Sequence, residues 1–301
     1  MQTELIGSNG VKWINTAMPT PEDLAGLVRE AGLEPSDAEF VAQSQHRPGV
    51  TVRDNYMIIL IQVPAFNKQL RVTSGVPLYC IIRQDRMWTV HYEPLVVLMK
   101  LLDDYASVAE KRDEFFMDGA MPLALHVIGR MYDSAFAKLE RLAKHIDIAE
   151  DAVFQGNERK MVEEVSILVR DLMDFRKIMR LQINLFATPP LHPLLDAGLY
   201  QIWLRVNGQA NKLWDLLESL FESMTELEHT NSNLLQYKEN ELLRMLTYYS
   251  IISIPLLLTM QPIYQYVGRN VYLTVIYAIG VLVLITLLLY VFFRAKKRRI
   301  I

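Results

Sequence analysis

The sequence has no aspartate or glutamate after Glu241, although 34 acidic residues occur in its 301 positions. It has one cysteine, Cys80, which excludes an intramolecular disulfide framework and any metal site built from several cysteines. It has no glycine-rich phosphate loop, and its six histidines show no HExxH-like spacing. These absences exclude common nucleotide-binding and zinc-hydrolase sites, so we expect no enzyme activity, no catalytic residue and no resident cofactor.

Positive charge is concentrated at the C-terminus. The net charge is −3, yet Arg or Lys occupies five of the last eight positions. The chain therefore has an acidic body, a segment at 245–293 whose only charged residue is Arg269, and a basic tail at 294–301. Because the tail directly follows an apolar segment, we expect it to bind anionic lipid and not nucleic acid.

Two apolar stretches are long enough to cross a membrane. No charged residue lies between Arg244 and Arg269, and residues 271–293 form an uncharged run of 23. About 20 apolar residues cross the roughly 30 Å hydrocarbon core of a bilayer. We therefore predict spans at 245–263 and 271–293, joined by an external loop at 264–270. The alternative is that both stretches are buried helices of a soluble core. This is disfavoured because a soluble domain seldom contains so long a helix that is apolar on all sides.

The basic residues also predict orientation. Lys and Arg favour the cytoplasmic side, and the tail has five of them whereas the predicted external loop has only Arg269. Two spans return the chain to the side on which it began. The first ten residues include Glu4 and lack the basic region and apolar run of a signal peptide. We expect both termini in the cytoplasm and a bacterial inner (cytoplasmic) membrane as the location.

Residues 1–193 have the pattern of an α/β cytoplasmic domain. The motif TPED at 20–23 begins a helix and Gly32 ends it, and three prolines between 188 and 193 close the domain. The spacing of the strands favours a meander, hence a mixed or antiparallel sheet flanked by helices. Strands are predicted at 11–15, 50–53, 56–63, 77–83 and 87–91, and further helices at 36–45, 94–109, 122–155 and 158–186.

A single long helix follows. No proline occurs between 194 and 254, which predicts one helix from about 196 to 263, roughly 100 Å long at 1.5 Å per residue. Its first part, 194–244, is a stalk that continues into the first span. Such a helix cannot bury its apolar face within its own small domain, so we predict partner helices from other copies of the chain.

One face of this helix has a stripe of polar and apolar residues at alternating steps of four and three. In a ring of parallel helices these residues form stacked rings, where acidic rings attract cations and apolar rings gate the pore. Alternatively, the polar residues hydrogen-bond between packed helices, and the spacing supports both interpretations equally. The predicted ion pathway comprises Glu222, Glu226, His229, Asn233, Gln236, Asn240, Leu243, Thr247, Ser250, Ile254, Leu257 and Gln261.

Several motifs resemble the CorA family of divalent-cation channels and its ZntB branch. The motif NELLRMLT at 240–247, with Pro255 in mid-span, is similar to the start of that family's first transmembrane helix. The basic tail, WIN at 13–15, PTPEDL at 19–24, RP at 47–48 and DNY at 54–56 also resemble the family. The resemblance covers nearly the whole chain. It implies a homopentamer with an α/β/α cytoplasmic funnel, a pore lined by the long helix, and a second span packed outside.

The chain departs from this family at the outer mouth. Where the family has Gly-Met-Asn, this chain has Tyr264, Gln265 and Tyr266, and the upper stalk at 204–211 lacks carboxylates. Hard divalent cations prefer oxygen ligands, above all carboxylates. The resemblance therefore implies a channel or transporter for divalent cations, with Zn2+, Co2+ or Ni2+ favoured over Mg2+ and the metal ligands unknown. The alternatives are a non-conducting membrane scaffold or sensor and a channel for another ion.

Overall fold

The structure is a computed structural model that describes residues 2–43, 47–67, 72–116 and 119–266, and positions 272, 275, 276, 279, 280, 282, 283 and 286. The chain divides into two compact units, Met1–Asn231 and Ser232–Ile301. Apart from those eight positions, the predicted second span at 271–293 and the basic tail at 294–301 lie outside the described residues. The same holds for residues 267–270 of the predicted loop.

A six-stranded mixed sheet forms the centre of the first unit, in the order β1-β2-β6-β5-β4-β3. Strands β3 to β6 form an antiparallel meander, β2 pairs in parallel with β6, and β1 pairs antiparallel with β2. The predicted mixed sheet with flanking helices is thereby confirmed. The strands are Gln2–Ile6 (β1), Lys12–Ala17 (β2), Gly49–Val52 (β3), Met57–Asn67 (β4), Val72–Ile82 (β5) and Arg86–His91 (β6).

Two helices cover one face of the sheet, α1 at Pro21–Ala31 and α2 at Pro35–Ala42. Helix α1 begins as predicted, because the Thr20 side chain accepts a hydrogen bond from the Asp23 amide and the Asp23 carboxylate accepts one from the Thr20 amide. It ends at Gly32, whose φ of 61° is left-handed. The core here includes Leu27, Ala31, Ile58, Leu60, Tyr79, Ile81, Trp88 and Val90.

Four more helices of the first unit precede the long last helix: α3 at Val96–Ser107, α4 at Ala109–Phe116, α5 at Ala120–Ala152 and α6 at Glu158–Arg180. Trp13 is fully buried and points to the opposite face of the sheet from its neighbour Ile14. Its ring contacts Tyr105 of α3. Helix α5 lies beside α3 and packs against α6. A π-helical turn, Val153–Asn157, connects α5 to α6. The sheet therefore has helices on both faces.

Most of the predicted helix bounds shift by a few residues, and two helices differ most from the prediction. The helix expected at 94–109 is interrupted by the extended backbone of Val108, and α4 follows as a separate helix. The helix expected at 158–186 ends at Arg180, because the chain then turns to place Gln182 and Phe186 in the core. Within the core, the Gln182 side chain donates to the Gln62 carbonyl at 2.7 Å and accepts from its amide.

The last described helix is α7, Ala197–Tyr266, a continuous helix of 70 residues. This confirms the long helix expected at about 196–263. In the first unit its buried face recurs at helical spacing, and Trp203 packs on Phe186 with ring centroids 5.0 Å apart. The buried positions in this part are Trp203, Val206, Ala210, Leu213, Leu217, Met224, Leu227 and Asn231.

An ion pair attaches α7 to α6 within the first unit. The Arg176 guanidinium donates to both carboxylate oxygens of Glu218, at 2.5 and 3.0 Å. It also lies over the rings of Phe221 and Trp214, 4.8 and 5.9 Å from their centroids. A bidentate pair with aromatic contacts orients the two helices more tightly than an exposed ion pair does.

Among the described residues, none of the helices combines the length and the hydropathy needed to cross a membrane.

Candidate ion pathway along the long helix

The cytoplasmic end of the predicted pathway lies on the free face of α7 in the first unit. Glu222, Glu226 and His229 are exposed, whereas Met224 and Leu227 are buried. Each exposed residue is two positions from a buried one, which is about 200° around a helix with 3.6 residues per turn. These three side chains therefore point away from the domain that holds the helix, as a pore-lining role requires.

The second unit holds the next part of the stripe. Asn233, Gln236, Asn240, Leu243, Thr247, Ser250 and Ile254 are all exposed on α7. The structure brings three of them together, because Asn240, Leu243 and Thr247 line one shallow groove with Arg244 and Tyr248. These three residues lie on one side of α7, and the assignment of the whole stripe to a pathway stays a prediction.

The hydroxyl groups of the stripe are oriented by the helix itself. Thr247 donates to the Leu243 carbonyl at 2.8 Å, and Ser250 donates to the Leu246 carbonyl at 2.9 Å. Each hydroxyl has one hydrogen and two acceptor lone pairs, so these bonds leave the oxygen free to accept. Such oxygens suit the hydration shell of a cation, whose water molecules donate hydrogen bonds outward.

The outer part of the pathway is described only as backbone. Leu257, Gln261, Tyr264, Gln265 and Tyr266 belong to α7, and their side chains lie outside the described residues. Their assignment to the pathway stays a prediction.

Two residues of the groove, Arg244 and Tyr248, were not predicted from the sequence. Arg244 lies four positions after Asn240, hence one turn along the same face, and it places a positive charge beside the stripe. The spacing alone was enough to find it. In the part of the chain that the structure describes, no three His, Cys, Asp or Glu side chains come together as they would around a metal ion.

Cys80 does not supply a reactive thiol. It is fully buried in β5, and burial raises the pKa of its thiol to about 12. Because the thiolate is the nucleophilic form, Cys80 is unreactive at neutral pH. It acts as a small core residue, as its apolar strand suggests.

Known proteins match this chain over most of its length. The family model for the CorA-like Mg2+ transporter protein matches residues 8–297. The chain is 22% identical over 257 residues to the cobalt/magnesium transport protein CorA of Methanocaldococcus jannaschii, covering 82% of this chain and 77% of that protein. It is 23% identical over 256 residues to the protein of the same name from Thermotoga maritima, covering 81% and 70%.

The fold is also similar to a solved structure. The complete structure of the CorA magnesium transporter from Methanocaldococcus jannaschii superposes with a TM-score of 0.81 at 20% identity. The superposition covers 95% of this chain and 90% of that one. At this level of identity the likeness establishes the fold alone.

Proposed function

Because residues 8–297 match its model, the chain belongs to the CorA-like Mg2+ transporter family, and we propose that it transports divalent metal cations across a membrane. The observation that carries this proposal is the extent of the match, which includes the apolar C-terminal segments as well as the α/β unit. Both curated relatives are named as cobalt/magnesium transport proteins. The activity is transport, with the cation as cargo and not as a cofactor.

We further propose a homopentamer in which α7 lines the pore. One helix cannot enclose a pathway, so the stripe requires copies of itself from other chains. Exposed apolar residues in the second unit support this assembly, because Leu242, Leu246 and Tyr249 need cover from lipid or from neighbouring helices. The spans at 245–263 and 271–293 would hold the assembly in an inner membrane, with both termini and the basic tail on the cytoplasmic side.

Along the proposed pathway, charge attracts the cation and oxygen atoms guide it. Rings of Glu222 and Glu226 raise the local concentration of divalent cations on the cytoplasmic side. Asn240, Thr247 and Ser250 then offer amide and hydroxyl oxygens to the hydration shell. Rings of Leu243, Ile254 and Leu257 form apolar constrictions that gate by dewetting.

The selectivity is proposed from what the outer mouth lacks. Tyr264, Gln265 and Tyr266 replace Gly-Met-Asn, and Arg269 of the predicted external loop adds positive charge where a strongly hydrated cation would need attraction. Because few oxygen ligands remain for Mg2+, we propose that Zn2+ or another transition-metal ion such as Co2+ is favoured.

Flux through reconstituted protein tests these proposals. Sealed vesicles that contain the full-length protein are expected to take up Zn2+, Co2+ or Ni2+ faster than empty vesicles do. Their uptake of Mg2+ is expected to be slower than their uptake of these transition-metal ions. Asn240→Leu is expected to reduce this flux at least about tenfold, because it removes a polar ring worth more than about 1.4 kcal/mol to the passing ion. Leu242→Met, two positions away on the opposite face, keeps an apolar side chain of similar volume there; it is the matched control and leaves flux unchanged.

The outcomes separate the parts of the proposal. Faster Mg2+ than Zn2+ flux refutes the selectivity but not transport. No divalent flux above that of empty vesicles refutes transport and supports the non-conducting scaffold or sensor, which the missing Gly-Met-Asn motif favours. Flux that Asn240→Leu does not alter refutes the assignment of the pathway to the stripe.

A further inference from the structure

A cavity of about 350 Å³ lies within the first unit between α5 and α7. Small-molecule sites are typically clefts of about 300–1,000 Å³ with an apolar lining and a few polar groups, often between helices. This cavity is on the part of α7 that contains Arg205 and Gln209, away from Glu222 and the rest of the stripe. The proposed transport pathway does not use it.

One wall of the cavity is aromatic. The ring of Phe115 stacks on the imidazole of His126, with centroids 3.9 Å apart and planes 23° from parallel. Nε2 of His126 is hydrogen-bonded to the Tyr105 hydroxyl at 2.8 Å, which holds the ring in place. Burial, and next the nearby Arg130, lower the pKa of His126 to about 4, so the wall is uncharged at neutral pH.

The lining of the cavity has an excess of positive charge. It contains Arg130, Arg205 and one carboxylate, Asp133. Both oxygens of Asp133 are engaged: Oδ1 accepts from Nε2 of Gln209 at 2.9 Å, and Oδ2 lies 3.7 Å from Arg130. Arg205 forms no ion pair with any residue in the described part of the chain. Its guanidinium is therefore available to an anion.

A glycine shapes the floor of the cavity. A Cβ at Gly129 would lie 2.9 Å from Oε1 of Gln209, closer than such contacts normally are. Gly129 thus allows the Gln209 side chain to lie against α5 and reach Asp133. Because Asp133 is bound to Gln209 and paired with Arg130, it does not compete for Arg205, which is the arginine left for an anion.

We propose that this cavity binds a small aromatic oxyanion, a ligand with a planar apolar body and a phosphate group. The planar body packs against the exposed side of the Phe115–His126 stack, in the offset or edge-to-face geometry that aromatic pairs prefer. The oxyanion reaches Arg205, whose planar guanidinium group matches phosphate oxygens in pairs. The proposal is independent of ion transport, since it concerns a separate site in the first unit.

Phenyl phosphate is the probe for this site, titrated into purified full-length protein by isothermal calorimetry. We expect one site per chain. Arg205→Gln is expected to weaken binding at least about tenfold, because it removes a charge-assisted hydrogen bond to the phosphate. Arg170→Gln removes an exposed arginine on α6 that does not line the cavity, and it is expected to leave the affinity unchanged.

Two further measurements identify what is recognised. Phenol and inorganic phosphate, which each have one half of the probe, are expected to bind more weakly than phenyl phosphate. Gly129→Ala is expected to weaken binding by displacing Gln209 while every arginine stays in place. Thermal unfolding of each variant checks that the first unit still folds.

The proposal is overturned if wild-type protein does not bind phenyl phosphate, or if Arg205→Gln and Gly129→Ala both bind as well as wild type. It is also overturned if inorganic phosphate alone binds equally well, because the aromatic wall would then contribute nothing. None of these results bears on cation flux, so failure here leaves the transport proposal standing.

Discussion

Replacing His126 with phenylalanine changes how the stability of the first unit depends on pH. In the native state, burial and Arg130 lower the pKa of His126 to about 4, whereas its ordinary value is 6.5; Asp133 opposes the shift. The unfolded chain therefore binds a proton at a pH where the folded chain does not. Protonation favours unfolding, so stability present above pH 6.5 is lost as the pH falls towards 4.

The size of this effect follows from the two pKa values. For a pKa of 6.5 in the unfolded state and about 4 in the folded state, linkage lowers the free energy of unfolding by about 2 kcal/mol at pH 5 and hardly at all at pH 7.5. The imidazole lines an open cavity, where water screens the charge, so we expect about 1 kcal/mol. At pH 7.5 His126→Phe keeps the stack on Phe115 but removes the bond to Tyr105, which costs about 1 kcal/mol.

Chemical unfolding of full-length protein at pH 7.5 and pH 5 measures the difference. The buried Trp13 and Trp88 lie in the sheet, so tryptophan fluorescence reports on the first unit. Between the two pH values, wild type is expected to lose about 1 kcal/mol more than His126→Phe does. Comparing the variant with wild type cancels the contribution of the other titrating groups. The control is His145→Gln, which replaces an exposed histidine on the same helix and is expected to behave as wild type.

The reasoning fails if His126→Phe and wild type lose the same stability between pH 7.5 and pH 5. Equal losses would mean that the imidazole binds a proton as readily in the folded state as in the unfolded state. The aromatic wall of the cavity would then be charged at pH 5, contrary to its burial.

Two further substitutions test how the first unit is held together. Arg176→Ala is expected to lower the free energy of unfolding by about 2 kcal/mol, because it removes a bidentate bond to Glu218 and two aromatic contacts. Urea unfolding of a double-mutant cycle with Glu218→Gln checks this, and additive single effects would contradict the pairing. Gly32→Ala is expected to cost about 1 kcal/mol, since alanine is strained at a φ of 61°. Gly26→Ala is the control: it lies inside α1, an added Cβ there meets no other atom, and it is expected to raise stability by about 0.5–1 kcal/mol in thermal unfolding. A gain at both positions would refute the left-handed cap.

Local signals in the sequence determined several elements without reference to the rest of the chain. Thr20, Asp23 and Gly32 predicted both ends of α1, because capping bonds join residues three or four apart. The absence of proline between 194 and 254 predicted α7, and periodicity placed Asn240, Leu243 and Thr247 on one face. Short-range chemistry is enough for such features.

Other elements depended on partners that no local pattern names. Strand β1 was not predicted because it is an edge strand in which only Leu5 is buried, so its apolar alternation is weak. The parallel pairing of β2 with β6 joins Trp13 to Met87, far apart in the chain, and the sequence pattern indicated only a meander. A turn after α6 buries Phe186 because its ring packs against Trp203, a contact that no local pattern in the sequence indicates.

By itself, therefore, the sequence determined the acidic body, the acid-free segment after Glu241, the basic tail and the long helix with its polar stripe. Only the tertiary structure decided which face of α7 is buried and which is free, since that depends on what packs against Trp203 and Met224. It alone brought together Arg130 and Arg205, which are distant in sequence, at one cavity. The physical reason is range: caps and periodicity act over one or two turns, whereas a cavity exists only where separate helices meet.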